Sequence, residues 1–380
     1  MRVVSIFGVT GSIGSQALDF IRSHNGIFSF HTFVCDKNFK LAKDLVDEFQ
    51  PKYIYFSDKI ASEEFLKFKI SSTVVLQSFT ELKNVLLSEK SDIYLSAISS
   101  SNLLELTSLA ASSGGKLLLA NKESLVVMGE QILNMSKQNK TEIIPIDSEH
   151  YSVMNLLRNK NPRDVKKVYL TASGGPFLNN SIQEVADKSL EEALKHPTWE
   201  MGKKITIDSA TLINKCFEII EAHYLFNIPL EKLDILIHPQ SKIHALVEYM
   251  DGSIDANISD ADMIYPISYG FLGTINYELG KNELFSSSQG LDLNLVPFPE
   301  DRKFLIDIVK DVITNKGNRG LVFSTINDFA VRKYLDRKIG FGEIYQLLIK
   351  NYSKVEKKQL LAIEDIEINR SEIIDFLQKI

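Results

Sequence analysis

The chain has 380 residues, of which 44% are hydrophobic and 24% are charged, and its formal net charge is −6. This length predicts two or three domains, and the negative charge argues against nucleic acid or an anionic membrane as the main partner. No apolar run approaches the roughly 20 residues that a membrane-spanning helix needs. Arg2 leads directly into a strand-like run, and Cys35 and Cys216 predict reduced thiols, so we expect a cytoplasmic protein without a signal peptide.

The first part of the chain alternates short apolar strands with amphipathic helices. The predicted strands are Val3–Phe7, Phe30–Cys35, Tyr53–Phe56, Ile93–Ala97, Lys116–Ala120 and Glu142–Ile146. Helices such as Ser12–Ile21 and Leu41–Phe49 are predicted between them. This alternation predicts a parallel, doubly wound sheet of the Rossmann type.

A glycine-containing turn, Gly8–Gly14, follows the first strand and opens the first helix. Glycines there let the backbone approach a pyrophosphate, so the context favours dinucleotide binding, although the spacing is G-x-x-G-x-x-G. The end of the second strand gives conflicting indications. Asp36 suits the ribose 2′-hydroxyl of NAD, whereas Lys37 and Asn38 suit the 2′-phosphate of NADP. Solvated loop charges are an equally simple interpretation, so the residues alone leave the cofactor open.

Two further motifs lie where later strands of this region end. Lys122 and Glu123 stand at a strand-to-helix transition, where Lys122 could bind a substrate oxygen and Glu123 could simply face the helix dipole. Asp147 and Glu149 follow the apolar run Ile143-Ile144, and an extended segment would point both carboxylates to one side. Such a pair suits Mg²⁺ or Mn²⁺, although a solvated strand end is the simpler alternative.

The middle of the chain offers groups suited to an anion. Ser173 precedes Gly174-Gly175 in what is either an anion-binding nest or a plain turn. A helix predicted over Ala210–Leu225, beginning near Asp208, presents its N-terminus to a phosphate, or Asp208 is merely its N-cap. Asn214, Lys215 and Glu218 share one helix face. They could bind phosphate and complete a metal site with Asp147 and Glu149, or form only a surface ion pair.

The segment His196–Gly202 carries Trp199, the only tryptophan, and lacks periodicity. It is interpreted as a mobile lid, the alternative being a tryptophan packed in the core. A hairpin is predicted over Ile243–Ile258 around Asp251-Gly252, and only helices are predicted over 300–380. The predicted domains are 1–147, 148–275 and 300–380, with a linker over 276–299. His24, His31 and His223 are interpreted as structural, whereas His238 and His244 remain ambiguous.

Taken in order, these motifs resemble those of the 1-deoxy-D-xylulose 5-phosphate reductoisomerase family, enzymes that make 2-C-methyl-D-erythritol 4-phosphate for isoprenoid synthesis. The resemblance covers nearly the whole chain. It rests on Gly8–Gly14, Leu119–Leu125, Pro145–His150, Ala172–Pro176, His196–Gly202, Ile207–Glu218, His238–Ile243 and Asp262–Pro266.

The resemblance implies an α/β fold with an N-terminal Rossmann-like NADPH domain, a central α+β catalytic domain with a flexible lid loop, and a C-terminal helical bundle, in a homodimer. It implies the metal ligands Asp147, Glu149 and Glu218, for Mg²⁺, Mn²⁺ or Co²⁺. The implied phosphate site is Ser173, Ser209, Asn214 and Lys215; Ser148 and Lys122 contact the sugar chain, and His196 and Trp199 lie on the lid. The implied NADPH contacts are Thr10, Gly11, Ser12, Ile13, Lys37, Asn38, Asn121, Glu123 and Gly202.

The implied reaction rearranges the carbon skeleton, by retro-aldol and aldol steps, and then transfers hydride from NADPH. Cys35 and Asp36 stand where the family has small residues, and a carboxylate there should repel a 2′-phosphate unless it points away. Ser324–Asp328 replaces a run usually close to N-A-A-N-E, which bears on helix packing or dimer contacts more than on chemistry. The plant and plastid members carry transit peptides, and the lack of one here favours a bacterial protein.

Two rival functions are considered. A homoserine-dehydrogenase-like oxidoreductase would need no metal for hydride transfer, so chelation distinguishes it. A nucleotide-sensing module would bind NADPH without turnover, but a sensor has no use for the three carboxylates Asp147, Glu149 and Glu218.

Overall fold

A seven-stranded parallel sheet organises the N-terminal part of the chain in the computed structural model, which describes residues 1–24, 26–70, 72–98, 104–199, 201–274, 292–360 and 362–379. The strand order is β4-β3-β2-β1-β5-β6-β7. The strands are β1 (Arg2–Phe7), β2 (Phe28–Cys35), β3 (Tyr53–Phe56), β4 (Val74–Leu76), β5 (Ile93–Ser96), β6 (Lys116–Leu119) and β7 (Glu142–Pro145). The intervening helices are α1 (Ser12–Arg22), α2 (Phe39–Phe49), α3 (Lys59–Phe65), α4 (Phe79–Ser88), α5 (Leu104–Ala111) and α6 (Glu123–Asn139).

These elements confirm the predicted doubly wound sheet, and each predicted strand is found to within two residues at either end. The central strands are buried because helices cover a parallel sheet on both faces; all four residues of β5, for example, are buried. The strand order reverses at β1, which pairs with β2 on one side and β5 on the other. Ligands in such sheets bind at the carboxyl ends of the strands beside this reversal.

A later helix, α11 (Ile264–Leu272), belongs to the same body as this sheet. Its Phe271 ring packs edge-on against Phe28, with ring centroids 5.5 Å apart. Its Gly270 lies so close to Leu118 and Ile146 that an added Cβ would be about 3.0 Å from the Leu118 side chain. The chain therefore returns to the first sheet after it has built the second.

A second, mixed sheet has the strand order β11-β10-β8-β9-β12, in which only β8 and β9 are parallel. Its strands are β8 (Val165–Ala172), β9 (Leu233–Ile237), β10 (Ile243–Tyr249), β11 (Ile254–Ile258) and β12 (Val296–Pro297). The neighbouring helices are α7 (Ser148–Leu157), α8 (Leu190–Ala193), α9 (Lys203–Thr211) and α10 (Ile213–Phe226), with short 3₁₀ helices at Leu230–Lys232 and Glu300–Arg302. The predicted hairpin is confirmed as β10 and β11, with Gly252 at φ +88° in the turn.

The C-terminal region is helical, as predicted: α12 (Phe304–Asn315), α13 (Arg319–Leu335), α14 (Phe341–Asn351) and α15 (Glu364–Gln378). α13 is its central helix, buried along most of its length and packed on α14 and α15. Most of the predicted linker over 276–299, including Ser286, Ser287, Ser288 and Gly290, lies outside the described residues.

The chain divides into two compact units. The first comprises Met1–Ser124, Glu130–Tyr151 and the segment from Asp262 that contains α11; the second comprises Leu125–Gly129, Ser152–Ala261 and the C-terminal helices. The three-domain division into 1–147, 148–275 and 300–380 stays a prediction. Across the described ranges, no helix combines the length and the apolar character needed to cross a membrane.

Candidate active site

The turn between β1 and α1 is built from backbone that tolerates no side chain at two positions. Gly8 has φ +92°, and a Cβ there would lie 2.5 Å from the Ala97 carbonyl oxygen. A Cβ on Gly14 would lie 2.3 Å from the Gly8 carbonyl oxygen. Gly11 is the N-cap of α1, so the backbone N–H groups of Ser12 and Ile13 lie at the start of a helix that follows the carboxyl end of β1. This arrangement suits a pyrophosphate.

The end of β2 resolves part of the conflict between its charges. Asp36 is exposed, and its carboxylate accepts a hydrogen bond from the Ser57 hydroxyl, 2.8 Å away after β3. Asn38 caps α2, because its side-chain oxygen accepts from the Leu41 N–H at 3.2 Å. Its amide nitrogen is the group suited to donate to a phosphate oxygen, and Lys37 beside it is exposed.

An ion pair joins the loops after β6 and β7, which are neighbouring parallel strands whose carboxyl ends meet. Lys122, at the start of α6, donates from Nζ to Asp147 Oδ2, and both side chains are largely buried. His150 approaches the other carboxylate oxygen of Asp147, with Nδ1 3.5 Å away. Burial opposes ionisation of Asp147, but the Lys122 ammonium and His150 hold the pKa of this carboxyl well below its usual range.

The prediction that Asp147 and Glu149 share one side of an extended segment is wrong. β7 ends at Pro145 and α7 begins at Ser148, so Glu149 lies in the first turn of a helix. Asp147 precedes the helix, and its Oδ1 accepts from the Glu149 N–H at 3.3 Å, as an N-capping carboxylate does. Ser148 donates from Oγ to Glu149 Oε2 at 2.6 Å. We call Lys122, Asp147 and Glu149 the acidic cluster.

Sequence reasoning did not assign a role to His150. The signal was present, because the residue stands three positions after Asp147, a spacing that brings two side chains together at a helix start. An extended segment would not bring Asp147 and His150 together, so the extended prediction concealed this contact. Asn121 and Glu123, two of the predicted cofactor residues, are both buried beside Lys122, and the Asn121 side-chain oxygen accepts from the Ser124 N–H at 3.2 Å.

In the second unit, Ser173, His196 and Ser209 form a compact group that we call the serine–histidine cluster. His196 Nε2 is 3.0 Å from Ser173 Oγ and 3.1 Å from Ser209 Oγ. Ser173 Oγ also accepts from the Gly175 N–H at 3.2 Å. The turn after β8 approaches α9 so closely that a Cβ on Gly175, which has φ +68°, would lie 2.8 Å from Ala210 Cα.

The imidazole of His196 organises the segment proposed as a lid. Its Nδ1 accepts from the backbone N–H groups of Trp199, at 2.9 Å, and Thr198, at 3.3 Å. An Nδ1 that accepts two N–H groups assigns the proton to Nε2. Burial lowers the pKa of His196 to about 4, so the ring is neutral at physiological pH. Trp199 is only partly buried, and its ring lies 6.4 Å from that of His244, centroid to centroid.

The single helix predicted over Ala210–Leu225, with its N-terminus near Asp208, is wrong in one respect. Asp208 and Ser209 lie in the last turn of α9, so they neither cap a helix nor stand at its N-terminus. Leu212 then adopts the left-handed conformation, φ +64°, and α10 begins at Ile213. Asn214 and Lys215 therefore occupy the first turn of a new helix, one residue after the break.

Asn214, Lys215 and Glu218 share a face, as predicted, but they are not a surface pair. Asn214 Nδ2 donates to Glu218 Oε1, and Lys215 Nζ donates to Glu218 Oε2. Lys215 is 3% exposed and Glu218 is 1% exposed. A buried carboxylate held by an ammonium and an amide is a hard oxygen donor of the kind that divalent cations prefer. Gly202, the remaining predicted cofactor residue, is the N-cap of α9.

Comparison with known proteins gives consistent matches along the chain. A family model of 1-deoxy-D-xylulose 5-phosphate reductoisomerase matches residues 4–129. Models of the C-terminal domains of the same enzyme match residues 143–226 and 258–372. The 1-deoxy-D-xylulose 5-phosphate reductoisomerase of Clostridium botulinum (strain Eklund 17B / Type B) is 37% identical over 375 residues, which cover 96% of each chain.

Solved structures agree with these sequence matches. A crystal structure of DOX-P reductoisomerase in complex with NADPH, fosmidomycin and magnesium is similar to this chain, with a TM-score of 0.88 and 30% sequence identity. The match covers 100% of this chain and 98% of that chain. The Zymomonas mobilis 1-deoxy-D-xylulose 5-phosphate reductoisomerase in complex with NADPH is also similar, with a TM-score of 0.83 and 31% sequence identity. That match covers 98% of this chain and 97% of the other.

Proposed function

The chain belongs to the 1-deoxy-D-xylulose 5-phosphate reductoisomerase family, and from this we propose which of its side chains bind each part of the reaction. The enzyme converts 1-deoxy-D-xylulose 5-phosphate to 2-C-methyl-D-erythritol 4-phosphate in isoprenoid biosynthesis and depends on NADPH and a divalent metal. When bound, NADPH supplies hydride and the divalent ion supplies Lewis acidity.

Asp147, Glu149 and Glu218 are assigned as the ligands of the divalent ion. Asp147 stays ionised despite its burial because Lys122 and His150 lower its pKa, and Glu218 is buried against Lys215 and Asn214. Carboxylate oxygens are the ligands that Mg²⁺ prefers, and Mn²⁺ or Co²⁺ would accept the same set. The observation that carries this assignment is the contact of the largely buried Asp147 carboxylate with the Lys122 ammonium at the start of the helix that bears Glu149.

Lys122 is assigned two tasks at the acidic cluster. Its ammonium, bonded to Asp147 Oδ2, keeps that carboxylate ready to bind a cation. It is also a proton donor that can bond to an oxygen of the sugar chain, as Ser148 can from the adjoining helix start. Both groups are placed by strand ends and helix starts, which hold side chains more precisely than long loops do.

Ser173, Ser209, Asn214 and Lys215 are assigned to the phosphate group of the substrate. Two hydroxyls, an amide and a buried ammonium provide donors of the type that a phosphate needs. His196 adds one N–H from Nε2 and, through Nδ1, ties Trp199 to the same cluster. Binding of a phosphate remote from the reacting carbons positions the substrate and drives closure of the lid over it.

The NADPH contacts are assigned to the segments that follow the carboxyl ends of β1, β2 and β6 and to the start of α9. Thr10, Gly11, Ser12 and Ile13 suit the pyrophosphate, and Lys37 and Asn38 suit the 2′-phosphate. The remaining assigned contacts are Asn121, Glu123 and Gly202, with Gly202 near the nicotinamide.

We further propose the larger-scale organisation that accompanies this chemistry. Residues 1–147 would bind NADPH and residues 148–275 would carry out catalysis. Residues 276–299 would link the catalytic domain to a helical domain formed by residues 300–380. A homodimer is the proposed assembly and the cytoplasm the proposed compartment. The reaction needs only small-molecule partners: the sugar phosphate, the cofactor and the metal ion.

The test of the proposed function is loss of NADPH absorbance on addition of 1-deoxy-D-xylulose 5-phosphate, with Mn²⁺ or Mg²⁺ and then with excess EDTA. Oxidation that stops on chelation is the expected result, because the rearrangement that precedes hydride transfer needs the Lewis acidity of the metal. Oxidation that continues in EDTA would show that the acidic cluster and its metal ion have no role in the reaction. The same assay with Asp147→Asn, which keeps the size of the side chain, tests the ligand assignment directly.

A further inference from the structure

Helix α9 connects the proposed lid to the proposed phosphate site. It begins at Lys203, directly after the segment His196–Gly202, and it carries Ser209 in its last turn. Any shift of α9 therefore moves the C-terminal end of the lid and the Ser209 side chain of the serine–histidine cluster together. The structure fixes this helix through side chains outside the site.

The last turn of α9 is held from the C-terminal helix α13. Asp208 is 2% exposed, and its Oδ1 accepts a hydrogen bond of 2.8 Å from Asn327 Nδ2. Asn327 is fully buried in the middle of α13. Asp208 stands next to Ser209 in the chain, so this bond fixes the backbone from which the Ser209 hydroxyl reaches His196.

The first turn of α9 is also held by a side chain of helix α13. Lys204 Nζ is 2.9 Å from Asp208 Oδ2 and 3.2 Å from an oxygen of Asp328, the residue after Asn327. Its ammonium also lies 5.4 Å from the centroid of the Phe217 ring. Two consecutive residues of α13 therefore secure both ends of a helix of nine residues.

We propose that Asn327 and Asp328 are positioning residues for substrate capture, acting through Asp208 and Lys204 on helix α9. The inference rests on the proposed roles of Ser209, His196 and Trp199. Asn327 fixes the position and rotation of the last turn of α9. Asp328 fixes the first turn of α9, which directly follows the lid. A displacement of even about 1 Å at a binding group lowers the efficiency of capture substantially.

The test compares two buried substitutions on α13. Asn327→Leu removes the hydrogen-bond donor and keeps the branching and the number of heavy atoms of the side chain. Thr325→Val is the matched control, because Thr325 is 4% exposed and its hydroxyl has no hydrogen-bond partner among the described residues. Both proteins are assayed for KM and kcat with 1-deoxy-D-xylulose 5-phosphate, for NADPH affinity and for melting temperature.

Fluorescence of Trp199, the only tryptophan, gives a direct record of the lid during titration with the substrate or with inorganic phosphate. For Asn327→Leu we expect KM and the fluorescence midpoint to rise roughly tenfold, with kcat changed much less and NADPH affinity unchanged. Thr325→Val should match the wild type. Equal KM values and midpoints for the two variants would overturn the proposal.

A swapped pair keeps the test decisive if Asn327→Leu fails to fold. Asn327→Asp alone places two carboxylates face to face and should raise KM further, whereas adding Asp208→Asn restores a donor and an acceptor in reversed positions. Recovery of the fluorescence midpoint in the double variant supports the positioning role, and no recovery overturns it. If wild-type Trp199 itself does not respond to substrate, the proposed lid and phosphate site fail instead, so the two failures are distinguishable.

Discussion

The smallest unit of the proposed mechanism is the ion pair between Lys122 and Asp147. A carboxyl group buried without a partner would take up a proton and lose its ability to bind a cation. Lys122 prevents this by lowering the pKa of Asp147 well below its usual range. The pair forms because β6 and β7 are adjacent and parallel, so the residues that follow them meet at one edge of the sheet. Local sequence could indicate each residue but not this meeting.

The assignment of Glu218 is tested by Glu218→Gln, which removes the charge at constant size. We expect turnover to fall by about a hundredfold or more and Mn²⁺ binding to weaken, because a carboxylate ligand is lost. NADPH affinity should stay unchanged. Glu231→Gln, at an exposed position soon after α10, is the control for loss of a carboxylate. Near-normal turnover in Glu218→Gln would exclude this residue from the site.

A second residue-scale prediction concerns Ser57, whose hydroxyl holds the Asp36 carboxylate at 2.8 Å. In Ser57→Ala this restraint is lost, and the carboxylate can turn towards the 2′-phosphate of NADPH. We expect NADPH affinity, measured by fluorescence titration without substrate, to fall about fivefold, a size typical of exposed charge pairs. NADH affinity should not change, and Asp36→Asn in the same background should restore NADPH binding. Equal losses for both cofactors would contradict this interpretation.

At the scale of elements, the most instructive departure from sequence expectation is the break at Leu212. No glycine or proline marks it, so the pattern over Ala210–Leu225 predicts an unbroken helix. A leucine in the left-handed region costs about 1–2 kcal/mol. Burial of its side chain, which is 2% exposed, offsets about 1.5–3 kcal/mol. The break is therefore set by tertiary packing, which periodicity does not report. It moves Asp208 and Ser209 to the end of one helix and Asn214 to the start of the next.

The lid gives a prediction of pH dependence. The pKa of His196 is lowered to about 4, so the unfolded chain, with an ordinary pKa near 6.5, takes up a proton first as the pH falls. His196 therefore destabilises the fold progressively between about pH 6.5 and about pH 4. Trp199 emission should stay constant from neutral pH until the pH approaches about 4, and then change as Nδ1 is protonated and loses the Trp199 N–H.

The control for this titration is His196→Asn, which should abolish the emission change, and circular dichroism should show that the fold persists at the transition. A midpoint near the ordinary histidine value of about 6.5 would contradict the desolvated, neutral ring.

At the scale of the whole molecule, the succession of elements in the first sheet was largely predictable because short apolar runs alternate with amphipathic helical stretches, whereas β9 and β12 of the second sheet were not predicted. The three-residue strand β4 was missed because so short a run has no period. The contact between Asn327 and Asp208 spans 119 residues, and the return of α11 to the first sheet follows a whole intervening domain. Such long-range features depend on three-dimensional packing, and a single sequence taken alone contains no signal for them.

Metal binding should stabilise the folded chain as a whole. A ligand that binds only the native state adds about 2.7 kcal/mol at a free concentration of about 100 times its Kd. Mn²⁺ added to the metal-free enzyme should therefore raise the melting temperature. Asp147→Asn should remove most of this increase while leaving the increase caused by NADPH intact. An undiminished effect of Mn²⁺ in this variant would show that the ion binds elsewhere.

The chemical character of the proposed phosphate site has a consequence for the conditions under which the enzyme works. Its donors are two hydroxyls, an amide, a neutral imidazole and one ammonium, that of Lys215, which is buried. Dissolved ions screen exposed charges over about 8–10 Å but screen buried pairs far less. Affinity built mainly from neutral donors and one sheltered charge should vary little with ionic strength, so changes in salt concentration would leave substrate capture nearly constant.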